Sequence, residues 1–192
     1  MQRSLQAWTG EPVSVTYRAF FLNANIPDQG YDFVPYMLAK FAGRVSLEQA
    51  FEGPRRMGEP LGMVFNMDKI GKAPNTTLSH CLIALTPEEA REALIEDVYA
   101  AYFEFGQDIG DPETLVQIGV RHGLEETALR TGLNNSELRR QVQAEAEQAF
   151  QLGISGVPFF VINGKYGFSG AQPPEVILNV FEQVIQKEKG IG

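Results

Sequence analysis

The chain has 192 residues, 44% of them hydrophobic, with a formal net charge of −8 and a sequence pI near 4.8. That length suits one domain or one domain with an insertion, and the apolar fraction supports a sizeable core. The acidic balance argues against nucleic acid or an anionic membrane surface as a main partner, and no apolar run is long enough to span a bilayer.

In chain order, residues 1–8 can form about two helical turns. Leu5 and Trp8 share a face, and Gly10 and Pro12 supply a stop. "MQRSLQAW" has no apolar signal-peptide core, so the default location is cytoplasmic. In "PVSVTYRAFFL", Val13, Val15, Tyr17, Ala19 and Phe21 alternate with Ser14, Thr16 and Arg18, which predicts a strand over Val13–Leu22. "NANIPDQG" reads as a loop.

From Phe33 to Leu152 the pattern is helical. Ser46 with Gln49 forms a capping box. Thr86, Pro87 and Glu89 predict a second helix start, followed by the stripe Ala90, Leu94, Val98, Ala101 and Phe105. Asp111-Pro112 opens a helix that carries Leu115 and Ile118 and stops at Gly123. Asn134 with Glu137 opens another, lined by Leu138, Val142, Ala149 and Phe150 and ended by Gly153.

The chain then returns to strand. "PFFVI" is the unbroken apolar run of a strand buried on both faces. Asn163-Gly164 is a hairpin turn signal and "KYGFSG" the returning strand. "PPEVILNVFEQVIQKEK" predicts a terminal helix with Val176, Val180 and Val184 on one side.

The order helix stub, strand, helical block, hairpin and helix, with Val157-Pro158 before the hairpin, resembles a thioredoxin fold interrupted by a helical insertion. "SGVPFFVING…SGAQPPE" is more specific and resembles the DsbA-like thiol oxidoreductases of the FrnE type. "YRAFFLNANIP" resembles the second strand and loop of that family, and "NTTLSHCLI" its helix near the active site. The fold class implied is α/β, a thioredoxin-like remnant over 1–26 and 153–192 around a helical insertion over 27–152. The resemblance implies a cis peptide at Pro158, a bond that X-Pro tolerates far better than other bonds, facing a Cys-x-x-Cys motif. It also implies a groove for a peptide or protein thiol substrate at Gly156, Val157 and Pro158, with Asn75, Thr76 and His80 as further lining. Asn75 and Thr76 read first as a helix cap, and His80 as a partly buried helix histidine. No cofactor and no metal are implied.

The first strand and the active-site turn of that family have no counterpart. Residues 1–9 match only the tail of its first helix, and about 20–30 residues of the pattern are lacking by normal element lengths. The single cysteine, Cys81, excludes an internal disulfide and a multi-cysteine metal site, and two histidines, His80 and His122, exclude a histidine-rich one. Cys81 lies in an apolar stretch, as inert buried cysteines do. His122 sits where a helix ends and suits its dipole, while Glu96, Asp97 and Glu104 read as solvated helix surface. Disulfide exchange needs an attacking thiolate and a second, resolving thiol, so the 192 residues are expected to be redox-inactive as they stand, or to be the N-terminally shortened form of a DsbA-like thiol oxidoreductase. A non-redox thioredoxin-fold binding or scaffold protein is the alternative. A relative of glutathione-dependent isomerases or kappa-class transferases is a further one, but the polar group they use at the helix start has no counterpart here. A missing central strand would expose the edges of Val13–Leu22 and Phe159–Ile162, which predicts a homodimer or larger assembly.

Overall fold

The computed structural model describes residues 1–42 and 44–190. The chain divides into two compact units, one formed by residues 1–20 and 147–192 and one by residues 21–146.

The first unit joins the two ends of the sequence. Helix α1 (Gln2–Ala7) packs against α9 (Pro174–Glu188), with Trp8 edge-on to Phe181 at 5.3 Å between ring centroids. The inner face of α9 is Ile177, Phe181 and Val184. Of the valines expected to share a side, Val184 is buried, Val180 half-buried and Val176 exposed, and Ile177 and Phe181 take the other core positions. Between these helices in the sequence lies a hairpin of β3 (Phe159–Ile162) and β4 (Tyr166–Ser169), antiparallel, with Phe160 opposite Phe168. Asn163 and Gly164 both take positive φ (52° and 67°), as a hairpin turn of the primed type requires. The Val157–Pro158 peptide is cis. The expectation that β3 is buried on both faces does not hold, because Val161 is exposed. Among the described residues no third strand joins the pair.

Residues 13–22 were expected to be a strand and join neither sheet. Ala19 is buried, while Val13 and Tyr17 stay exposed. Alternation reports which side chains suit an interior, and a strand also needs a ladder. The aromatic ring of Phe20 stacks on that of Phe150, 5.3 Å apart.

The second unit is helical. Helices α2 (Phe33–Phe41) and α3 (Leu47–Gly58) cover a core of Phe33, Phe51, Met67, Ile70 and Ala73. Two-residue strands β1 (Tyr31–Asp32) and β2 (Lys72–Ala73) pair antiparallel beside α2. Ser46 and Gln49 close the expected capping box at the start of α3. Helices α4 (Thr77–Leu85), α5 (Glu88–Phe103), α6 (Pro112–Arg121) and α7 (Glu126–Leu133) form a second cluster, in which α4 packs against the other three. Leu82, Leu94, Leu115 and Ile118 are fully buried there. Helix α8 (Ser136–Gln151) runs across the boundary between the units.

Three local expectations shift. Thr86 does not cap α5: it ends α4, and its Oγ1 donates back to the Leu82 carbonyl while Pro87 takes the N-cap position of α5. A threonine between two helices can serve either end, and here the buried carbonyl of Leu82 claims the hydroxyl. Asn134 ends α7, and Asn135 is the residue that accepts from the amides of Glu137 and Leu138 at the start of α8. Phe105 falls beyond the end of α5 and is exposed.

Polar satisfaction at two sites gives testable consequences. Ser4 is fully buried and its Oγ has no hydrogen-bond partner. An orphaned buried hydroxyl costs about 1–3 kcal/mol, so Ser4→Ala is expected to raise stability by about 1 kcal/mol in urea unfolding; a loss would mean that the hydroxyl has a partner. Asn75 accepts from the Thr77 amide at 2.9 Å and donates to the Ile26 carbonyl at 2.7 Å, tying the loop after Leu22 to the start of α4. Asn75→Ala is expected to cost about 1–3 kcal/mol in the same measurement, and Asn75→Asp, which keeps only the acceptor, a smaller part of that.

Candidate functional site

Gly156, Val157 and Pro158 precede β3 in the unit formed by the chain ends. Val157 is 53% exposed and Pro158 is exposed, whereas Gly156 is half-buried. The Pro158 carbonyl accepts from the Gly170 amide at 2.9 Å, which extends the hairpin pairing past Phe159 and Ser169. Pro158 has no amide hydrogen to leave unpaired. The segment is an exposed, apolar shelf at the open end of the hairpin, and its chemistry is that of backbone carbonyl and amide groups, with no titratable side chain.

Asn75, Thr76 and His80 belong to the other unit. Asn75 spends both ends of its amide on the backbone, as described above, so its geometry is that of a cap. Thr76 occupies the N-cap position of α4, makes no side-chain cap bond, and accepts the His80 amide on its carbonyl. The half-buried His80 ring lies 5.5 Å from that of Phe21, tilted by 57°.

Cys81, next along α4, is fully buried. Burial pushes the thiol pKa up, and the Arg139 guanidinium opposes this only in part. A low thiol pKa needs an electropositive and partly open setting, and Cys81 has the opposite surroundings. The thiol is held neutral and out of reach.

One polar cluster left no local signal in the sequence. Asp97 on α5 accepts from Arg121 (Nη2 at 2.9 Å) and contacts His122 Nε2 at 3.3 Å. Asp97 is therefore an ion-paired link from α5 to the end of α6, where a solvated surface residue was expected. The partners are 24 and 25 residues away, so no spacing rule could have joined them. His122 occupies the C-cap position of α6, as its place before Gly123 suggested. Among the described residues, no group of three or more His, Cys, Asp or Glu is placed to hold a metal ion, and no helix is long and apolar enough to cross a membrane.

Three comparisons bear on this geometry. A thiol:disulfide interchange protein DsbA from Azotobacter vinelandii is 29% identical over 94 residues, a match covering 48% of this chain and 44% of the relative. The chain thus spans about half the length of the curated relatives it matches. The crystal structure of a probable DsbA oxidoreductase from Streptomyces coelicolor superposes with a TM-score of 0.82 at 29% identity, covering 95% of this chain and 80% of that one. A 2-hydroxychromene-2-carboxylate isomerase structure superposes with a TM-score of 0.60 at 11% identity, covering 85% of this chain and 83% of the other, a likeness of fold alone. The fold is thioredoxin-like, of the DsbA kind, with a large helical part. The family model of the DSBA-like thioredoxin domain matches residues 1–182, and the chain belongs to that family.

Proposed function

We propose that these 192 residues form a DsbA-like domain of the FrnE type that offers a peptide groove at Gly156, Val157 and Pro158 and performs no dithiol exchange by itself. The observation that carries this reading is the state of the chain's one thiol. Exchange requires a thiolate that attacks a disulfide, expels one sulfur as thiolate and is itself displaced by a second thiol. Cys81 is the sole cysteine and lies fully buried, with its thiol pKa raised. Turnover would need a cysteine pair that these residues do not contain.

The groove part of the proposal rests on other features. Val157 and Pro158 are exposed, apolar and free of charge, beside a strand with no ladder partner but β4 among the described residues. An extended peptide is recognised by backbone hydrogen bonds to such a segment, with side-chain pockets adding selectivity. A peptide or protein thiol is the substrate class that the relatives' names support. The isomerase likeness adds no functional argument, because it is one of fold only.

Purified protein is expected to show no insulin reduction and no dithiol oxidation above buffer, and Cys81→Ser is expected to change neither. Clear turnover that survives Cys81→Ser would overturn the reading. Alkylation of native Cys81 at pH 8 is expected to run roughly a hundredfold or more slower than in denaturant. Because burial raises the thiol pKa, the neutral form persists upward through the ordinary thiol range, and any native reaction accelerates only above it. For the groove, the amide resonances of Gly156 and Val157 are expected to shift on titration with an unstructured apolar peptide. Unmoved resonances at saturating peptide would remove that half of the proposal.

A further inference from the structure

Asn163 is the one asparagine of the sequence that precedes a glycine. With Gly164 it forms the tip of the β3–β4 hairpin, where both residues are exposed and both take positive φ. A Cβ added to Gly164 would meet nothing within 4 Å, so no neighbour crowds this step of the chain. Among the described residues, neither the Asn163 side chain nor the Gly164 amide makes a hydrogen bond.

The other asparagines are placed differently. Asn23, Asn66, Asn75, Asn134 and Asn135 each commit the side-chain amide to a hydrogen bond. Asn179 lies inside α9, where the amide that follows it belongs to the helix ladder. Asn25 precedes Ile26, whose branched Cβ crowds the amide between them.

An unhindered backbone amide next to an asparagine side chain is a nucleophile beside an electrophile. The Gly164 nitrogen gives up its proton to solvent base and bonds to Cγ of Asn163. The bond from Cγ to the side-chain nitrogen breaks, that nitrogen takes a proton, and ammonia leaves. The product is a five-membered succinimide. Water then opens the ring at one of its two carbonyls, giving aspartate or isoaspartate. In sum, one water is consumed and one ammonia released, with no oxidant, reductant or enzyme. Ring closure requires Asn163 to turn about its Cα–C bond. The turn residues are held by the bond from the Lys165 amide to the Ile162 carbonyl at 3.1 Å and by the exposed Lys165–Glu188 ion pair at 3.2 Å. Exposed ion pairs contribute little, and the tip of a two-stranded hairpin opens readily.

We infer that Asn163 is a site of spontaneous covalent modification, deamidating through a succinimide to an isoaspartyl product that loosens the β3–β4 hairpin. Isoaspartate routes the main chain through the former side chain and adds a methylene to it. A primed turn fixes the backbone of two residues, so the longer link cannot hold Ile162 opposite Tyr166. Among the described residues no third strand holds the register instead. The inference does not depend on the proposed redox silence or peptide groove.

Timed incubation of the folded protein at body temperature, followed by peptide mapping with mass spectrometry, tests it. At mildly alkaline pH, Asn163 is expected to convert at least about tenfold faster than any other asparagine, because glycine leaves its amide open. Conversion is expected to slow at mildly acidic pH, where less amide is deprotonated, and to yield isoaspartate together with aspartate. Asn163→Gly keeps a residue that accepts positive φ; it is expected to match the parent in circular dichroism and to lose the modification. The modified fraction gains one negative charge and is separable by ion exchange. In its isoaspartyl part the hairpin amides are expected to exchange hydrogen at least about tenfold faster than in fresh protein. An Asn163 that survives while another asparagine converts overturns the inference. So does conversion that occurs only after unfolding in urea, since the folded turn would then protect the step. Aspartate formed without isoaspartate, or hairpin exchange unchanged in the isoaspartyl fraction, overturns it equally.

Discussion

Helix α4 is buried on nearly every side, and much of the helical unit follows from what that demands. Cys81 and Leu82 have no exposed surface, and Thr77 and Ser79 are buried with them. A buried polar group without a partner is costly, so each must be answered locally. The Ser79 hydroxyl donates to the Ile109 carbonyl, Thr86 to the Leu82 carbonyl, and the Thr77 amide to Asn75. Arg91 then caps the Thr86 carbonyl from the next helix. The neighbours come close because they offer glycine at the contact. A Cβ on Gly119 of α6 would sit 2.6 Å from a Leu129 methyl and 3.1 Å from one of Leu82, and a Cβ on Gly132 of α7 2.6 Å from a Leu85 methyl. A side chain at either position would therefore force these leucine methyls to shift.

The same burial decides the chemistry of Cys81. A thiol in the centre of a helix cluster serves as a small apolar filler. Membership in the DSBA-like thioredoxin family rests on the match over residues 1–182, while the one thiol of these residues plays a packing role. Family membership and a reactive thiol need not travel together.

The parts of the fold that were legible in the sequence are those with local chemistry. The Ser46 box, the Asp111 cap, the Asn163-Gly164 turn and the stripe through Leu94, Val98 and Ala101 are each set by residues within a turn or two of one another. Where reading failed, a competing partner decided the outcome. Thr86 could have capped forward and instead bonds backward. Helix α7 is N-capped by Glu125, whose carboxylate accepts from the Thr127 and Ala128 amides; glutamate is an uncommon N-cap, so the start gave no recognisable sign. Residues 13–22 alternate as a strand does, yet no ladder follows from alternation. At the candidate site, Pro158 and its neighbours were found from a sequence resemblance, since apolar residues before a strand carry no chemical signature. Asn75 was named as groove lining for the same reason, while its first reading, as a helix cap, came from local sequence and is the geometry it adopts.

The division of the chain into a middle and two ends bears on how it folds. In the middle unit, α4 packs on α5, α5 on α6, and α6 on α7, so most contacts join near neighbours and form after short loop closures. The other unit brings α1 against α9, elements more than 160 residues apart. Closing so long a loop in an unstructured chain carries a large entropic penalty, and low contact order favours speed. Once the helical block has condensed, the effective loop is far shorter. The physical expectation is an ordered assembly, helical block first and terminal unit second, which pulsed hydrogen exchange would resolve as early protection in α4 and late protection in the hairpin.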